Sequence, residues 1–329
     1  MSYTPGKNTL APDQEPGLEI KKDMALARLT TIGTGGKAHL FIRVQTMTAL
    51  KRLMPKLEQP WFVLGAGSNL LVSDREYPGT IIQLGQGFRR LRIGGCRILC
   101  GAAVPLTRLV NSAIDAGFPG FEELSGIPGT LGGAANMNAG THVKEISELA
   151  HTLLMVDTGG KKHSFSSNQL QHRYRNSLAP LAGVVTAMTF LQQAEGHPDS
   201  QRRRAEMLTE QRRTKHPWRK RTFGSTFKNP PGRIAAKLID NAGLKGSSIG
   251  GARVSPVHAN FIENLGNAAS LDVLELIKHV RRTVQQRFGV NLEPEVRLLG
   301  FTEEELRELS PYALSLIDSH NGKKLTLNQ

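Results

Sequence analysis

Cysteine is nearly absent from this chain of 329 residues. Only Cys96 and Cys100 occur, in CRILC, so a disulfide framework is excluded and a reducing cytoplasm is the expected setting. On a strand the two would share one face among apolar neighbours, a spacing that matches no metal motif, and we read them as structural. Aromatic residues make up 5% of the chain, which leaves few stacking platforms for nucleic acid. No apolar run approaches the roughly 18 residues of a membrane span, and residues 1–17 lack the apolar stretch of a signal peptide. The expectation is a protein that neither enters a membrane nor is exported. Acidic residues are outnumbered, 28 against 42 Lys and Arg, for a formal charge of +14, a balance that favours anionic partners without naming one.

What the chain has is glycine, concentrated where charge is missing. GIPGTLGGAANMNAG runs from Gly126 to Gly140 and reads as a loop whose backbone N–H groups approach a phosphate closely. Pro128 stiffens its entry, Gly129, Gly133, Ala134 and Gly140 keep side chains out of the way, and Thr130, Asn136 and Asn138 offer polar groups. A glycine-rich buried turn would look similar. A second loop decides between them: GAGSNL, with Gly65, Gly67, Ser68 and Asn69, follows directly on the apolar run WFVL. Two such loops suggest the two sides of one dinucleotide.

The length suggests two or three domains, and a hydrophobic content of 39% suffices for a core in each. Residues 1–17, with three prolines, read as an arm. A first unit over about 18–88 has a strand at Ala38–Val44, a helix from Thr46 that Pro55 ends, strand, loop and strand through WFVLGAGSNLLVSD, and another strand at Thr80–Gly85, a mixed sheet of βαββ type. A second unit over 89–195 repeats this order. It has a strand at Arg97–Val104, a helix from Pro105 to Gly117, a short helix at Val143–Leu149, and strands at Thr152–Asp157 and Val184–Leu191. Over 196–221 the composition turns basic. QRRRAEMLTEQRRTKHPWRKR reads as a helix ended by Pro217 that links domains and lends a cation or two to a site, rather than as a nucleic-acid surface. The unit at 222–301 has helices at Arg233–Asn241 and from an N-cap at Ser270 to Gly289, with strands at His258–Ile262 and in NLEPEVRLLG. Residues 302–329 read as a tail.

Taken in order, GAGSNLLVSD, GIPGTLGGAANMNAG, YRNS, GSTFKNP and LEPEVRLLG closely resemble the UDP-N-acetylenolpyruvoylglucosamine reductase family over about Leu18 to Gly300. The resemblance implies an α+β protein: an FAD-binding domain of the vanillyl-alcohol-oxidase type, built of two α+β subdomains, followed by an α/β substrate-binding domain. It implies that NADPH reduces FAD and that the hydride then passes to UDP-N-acetylglucosamine enolpyruvate, giving UDP-N-acetylmuramate for bacterial peptidoglycan. Arg175 in YRNS, Ser225 in GSTFKNP and Glu295 in LEPEVR match the family's catalytic residues. Arg175 would face the substrate carboxylate with a planar, permanently charged fork, Ser225 would donate the final proton, and Glu295 would help stabilise the enolate-like charge. Lys228, Asn229 and Lys215 match substrate contacts, Lys215 at the diphosphate. The loops carry no histidine or cysteine of a covalent-attachment motif, so FAD is expected to be bound non-covalently; FKNP and LEPEVR argue against another oxidase or dehydrogenase of the same fold. Between Arg175 and Ser225 the chain is short and holds no tyrosine, which resembles the family branch without a tyrosine-bearing closing loop. The basic run before GS and Phe223 depart from the family pattern and imply a different substrate entrance.

Overall fold

The computed structural model describes residues 16–309; the proposed arm up to residue 15 and the tail from residue 310 lie outside the described residues. In the first unit, β1 (Leu18–Ala25) pairs antiparallel with β2 (Lys37–Val44). Helix α1 (Met47–Leu53) follows, capped by the Thr46 hydroxyl, which accepts from Ala49 N at 3.1 Å. Strands β3 (Trp61–Val63) and β5 (Tyr77–Leu84) complete a mixed sheet of order β1-β2-β5-β3, while β4 (Leu70–Val72) leaves it.

The second unit is not a repeat of the first. Strands β6 (Leu91–Gly94) and β7 (Arg97–Gly101) precede three helices, α2 (Leu106–Asp115), α3 (Leu131–Met137) and α4 (Ile146–Leu149). Strands β8 (Ala150–Asp157), β9 (Lys162–Ser166) and β10 (Gly183–Leu191) then complete an antiparallel sheet ordered β6-β7-β10-β8-β9. In these two units the unexpected strands, β1, β6 and β9, lie at sheet edges, where half-exposed, charged sequence hides the apolar alternation that marks a strand. The central glycine stretch is a loop only as far as Thr130. Its second half is α3, because Leu131, Ala134 and Ala135 bury one face and the Thr130 hydroxyl accepts from Gly133 N at 3.3 Å. Gly132 brings this helix against Ala102, where a Cβ would lie 3.1 Å from the alanine methyl.

Helix α5 (Pro198–Lys215) stops short of Pro217 and is clamped to the second unit. Arg204 pairs with Glu123 at 2.8 Å, and buried Gln201 donates to the Phe118 carbonyl at 2.8 Å. The last unit holds α6 (Ala235–Asn241), the three short strands β11 (Ser248–Ile249), β12 (Ala252–Val254) and β13 (Ile262–Asn264), α7 (Ser270–Phe288) and β14 (Arg297–Leu299). Helix α7 does start where expected, but Ser270 is not its cap. Its hydroxyl accepts from Asp74 N at 2.9 Å and its N–H donates to the Asp74 carboxylate at 2.6 Å, while Asp272 takes the N–H of Ala269. Residues 302–309 are no tail: α8 (Glu303–Leu306), capped by Thr302, buries Leu306, and Leu309 follows it into the same core.

That core also contains Ile32 and Leu71 of the first unit, so burial is continuous across the junction. The last strand crosses it as well. From the proposed unit 222–301, β14 pairs with β4 of the first unit, parallel, Leu298 opposite Leu71. Most of NLEPEVRLLG is therefore extended connection, and only its end joins a sheet. Phe223, expected near a substrate entrance, is 1% exposed and belongs to this core.

Candidate active site

The two glycine-rich loops meet at one rim of a cavity of about 550 Å³. A Cβ on Gly65 would lie 2.8 Å from Thr130 Oγ1, and one on Gly129, at φ +124°, would lie 3.2 Å from Ser68 Oγ. Only glycine lets the backbones close to this distance, and Gly129 needs it for its conformation too. Gly65 and Gly67 have their carbonyls tied to Gln83 and Thr31. The N–H groups of Gly65, Ala66, Gly129 and Thr130 donate to nothing among the described residues. The cavity is lined by Gly65, Ala66, Gly129, Thr130, Gly133 and Asn136 on this side and by no acidic side chain; its two charged residues are Arg89 and Arg297. A row of free donors, close backbone and no competing carboxylate suit a pyrophosphate, so the cradle fits a dinucleotide such as FAD. No cysteine or histidine lines it.

The other loop residues have different employment. Gly67 packs against the Leu29 carbonyl, Pro128 is exposed and Ala134 is buried in α3. Asn69 donates from its side chain to the Glu295 carbonyl at 3.1 Å, and its own carbonyl accepts from Arg297 N at 3.1 Å. Asn138, fully buried at the end of α3 with φ +42°, donates to Glu145 at 2.6 Å and accepts from Ser147 N at 3.2 Å. The carbonyls of Asn138 and Gly140 accept from Arg175 Nη1 and Nη2 at 3.2 and 2.9 Å. The end of the glycine stretch, from Asn138 to Gly140, thus holds an arginine rather than lining the cavity.

Arg175 is the centre of a second cluster. Its φ of +53° is unusual for a side chain of this size. Its Nε meets Glu295 Oε1 at 3.0 Å, its Nη1 meets Glu145 Oε1 at 3.4 Å, and its guanidinium stacks on Tyr174 at 4.7 Å. Four contacts thereby hold the fork and fix its plane. Burial pushes the Glu295 carboxyl above the ordinary range, and the charges of Arg175 and Lys228 pull it partly back. Glu145 is likewise raised by burial, opposed first by Arg175.

Ser225 arrives from the far side of the chain. It follows Gly224, at φ +85°, and bridges to Phe261. The next residue accepts at its carbonyl from Glu295 N at 2.8 Å, which sets Ser225 one residue from the glutamate's backbone. The Ser225 hydroxyl bonds to none of the described residues. Lys228 is tied to Glu293 at 2.6 Å, and Asn229 Oδ1 accepts from Ala235 N at 3.0 Å at the start of α6. Lys215 is exposed at the end of α5. The residue of α5 that reaches the cluster is Arg212, one turn earlier: burial, and then the charge of Arg175, lower its guanidinium pKa. Arg212, Glu145 and Arg297 were not picked out from the sequence. Arg297 had a signal, two positions after Glu295 in an alternating stretch, and Arg212 had its place three residues before Lys215 on one helix face; Glu145 had none.

With this geometry in view, known proteins give the comparison. A family model described as the C-terminal domain of UDP-N-acetylenolpyruvoylglucosamine reductase matches residues 216–299, and one for an FAD-binding domain matches residues 42–166. The UDP-N-acetylenolpyruvoylglucosamine reductase of Anaeromyxobacter sp. (strain Fw109-5) is 40% identical over 295 residues, covering 88% of this chain and 92% of its own. That of Halalkalibacterium halodurans is 36% identical over 285 residues, covering 86% and 95%. The crystal structure of the Thermus caldophilus reductase superposes with a TM-score of 0.74 at 38% identity, covering 86% of this chain and 99% of that one. The cavity, the Arg175–Glu295 cluster and these matches together place the chain in the UDP-N-acetylenolpyruvoylglucosamine reductase family.

Proposed function

We propose that this chain reduces the enolpyruvyl ether of UDP-N-acetylglucosamine enolpyruvate to UDP-N-acetylmuramate for peptidoglycan, with NADPH as reductant. The observation that carries the reading is the Arg175–Glu295 pair at 3.0 Å, one backbone step from a free Ser225 hydroxyl and beside an acid-free cavity. When bound there, non-covalently, FAD would supply the chemistry of relaying a hydride from NADPH to the substrate. Gly65, Ala66, Gly129 and Thr130 would hold its pyrophosphate.

The remaining chemistry belongs to the chain. Hydride addition to the alkene leaves charge that spreads onto the neighbouring carboxylate, and preorganised donors facing that charge lower the barrier most. Arg175 is held in plane by two carbonyls and two carboxylates before any substrate arrives, so no reorganisation is needed. Arg212 adds a second cation on the same side, suited to the substrate's anionic groups. Glu295, paired with Arg175 and raised in pKa by burial, stands beside it to help stabilise the enolate-like charge. Ser225 hands over the proton that completes the product. The interval from Arg175 to Ser225 holds β10 and α5 and no tyrosine, which supports the branch without a closing tyrosine loop.

The test is anaerobic. Enzyme-bound flavin reduced by one equivalent of NADPH should regain its oxidised absorbance when the enolpyruvyl substrate is added, with UDP-N-acetylmuramate formed in equal amount. A flavin that stays reduced until oxygen is admitted would overturn the proposal.

A further inference from the structure

We infer that Arg297 is the counter-charge of the cofactor's reacting ring: its guanidinium balances the negative charge the ring gains on reduction and so sets how readily NADPH reduces it. The inference rests on the function proposed above. Burial alternates along the chain from Glu293 to Leu299, with Pro294, Val296 and Leu298 inside, so Glu295 and Arg297 share a face. Glu295 is taken by Arg175 at 3.0 Å. Arg297 has no acidic partner among the described residues; its one side-chain hydrogen bond goes from Nε to Met137 Sδ at 3.3 Å, a weak acceptor.

An arginine without a carboxylate is costly to enclose. Burial alone lowers this one to a pKa of about 10, still charged at neutral pH. Its side chain lines the cavity, where Arg89, exposed at the rim, is the only other charged residue. The pyrophosphate has its own donors at Gly65 and Gly129. The reacting ring must instead reach the boundary between cavity and Arg175–Glu295 cluster, because hydride crosses there, and Arg297 stands on that boundary through its neighbour Glu295. A hydride brings two electrons and one proton to a neutral ring, which leaves one negative charge with no further proton required. Asn69 fixes the cation's place by accepting from Arg297 N at 3.1 Å.

The midpoint potential of the bound flavin tests this without any enolpyruvyl substrate, by equilibrating the anaerobic holoenzyme with a reference dye. Arg297→Gln should lower the potential by about 30 mV or more, a tenfold or greater loss of preference for the reduced cofactor, while oxidised FAD binds within a few-fold of the parent. Arg297→Lys should retain most of the potential. In the parent, reduced flavin followed by absorbance should stay anionic below the pH at which free reduced flavin takes up a proton. An unchanged potential in Arg297→Gln, or parent flavin that protonates where the free cofactor does, overturns the inference. Loss of oxidised FAD from both variants would do so too, by assigning Arg297 to the phosphates. A chain that binds FAD and reduces the substrate, yet keeps its potential in the glutamine variant, refutes this inference and leaves the proposed function standing.

Discussion

Replacing Gly65 by alanine probes how the two loops meet. The new methyl would lie 2.8 Å from Thr130 Oγ1, and Gly65 is not among the positive-φ glycines, so the effect comes from the contact and not from backbone strain. Relief must come from Thr130, whose hydroxyl accepts from Gly133 N at 3.3 Å. If the cap is displaced, the cost is about 1 kcal/mol; if the loops part instead, overpacking costs about 1–3 kcal/mol. The movement falls on the free N–H groups at the cavity rim, so it is read in cofactor affinity. At about 1.4 kcal/mol per decade, Gly65→Ala should weaken FAD binding about 5- to 150-fold. Thr130→Ala loses the cap alone, about fivefold at the same conversion. The double variant removes the opposing oxygen and should bind FAD about as well as Thr130→Ala, a coupling visible only between touching residues. Fluorescence titration of apoprotein with FAD measures all four corners. If Gly65→Ala costs as much in the Thr130→Ala background as in the parent, the contact is not what glycine serves here.

Further outcomes follow from the Arg175 cluster. Arg175→Ala should slow reoxidation of reduced flavin by substrate by about 10²-fold or more and leave NADPH reduction unchanged; stopped-flow traces slowed equally in both halves would contradict that assignment. Ser225→Ala should leave FAD binding and flavin reduction intact while turnover falls by about 10²–10⁴-fold, with Ser225→Cys recovering part; turnover within a few-fold of the parent would remove Ser225 from the mechanism. For Glu295 the folded pKa is raised above the unfolded value of about 4.3. Its contribution is fully present below that value and is lost as pH rises through the folded pKa. The parent should therefore lose thermal stability relative to Glu295→Gln as pH rises from about 4 toward neutrality, and a difference in Tm that is flat with pH would refute the raised pKa.

The candidate-site residues Arg175, Ser225 and Glu295 could be singled out because each lies in a short motif with little freedom: Gly224 must adopt φ +85° to turn the chain into Ser225, and such positions write glycine into the sequence. The cavity-facing half of the glycine stretch was legible for the same reason. Its other half was not, because Asn138 offers the same amide whether it meets a ligand or, as here, ties Glu145 and Ser147 behind Arg175. Lys215 and Arg212 lie within one turn of each other on α5, and which of them reaches Arg175 depends on how α5 is clamped by Glu123 and Phe118, a tertiary fact. Asn69 looked like a phosphate contact. Its bonds to the backbone of Glu295 and Arg297 require a strand from the other end of the chain. The edge strands escaped notice since they bury too little to show a period.

The parallel ladder between β4 and β14 also has a consequence for how the protein is made. Leu70, Leu71 and Val72 leave the ribosome early and are all buried in the finished molecule, yet their partner strand emerges about 225 residues later. At about 5–20 residues per second, that interval lasts roughly 10–45 s, during which an apolar edge waits beside the GAGSN loop. The nascent chain therefore presents a strand-shaped vacancy to chaperones and to neighbouring nascent copies. A chain released before residue 295 would keep the vacancy and lack Glu295 as well, so such products would be sticky and without the Arg175–Glu295 pair.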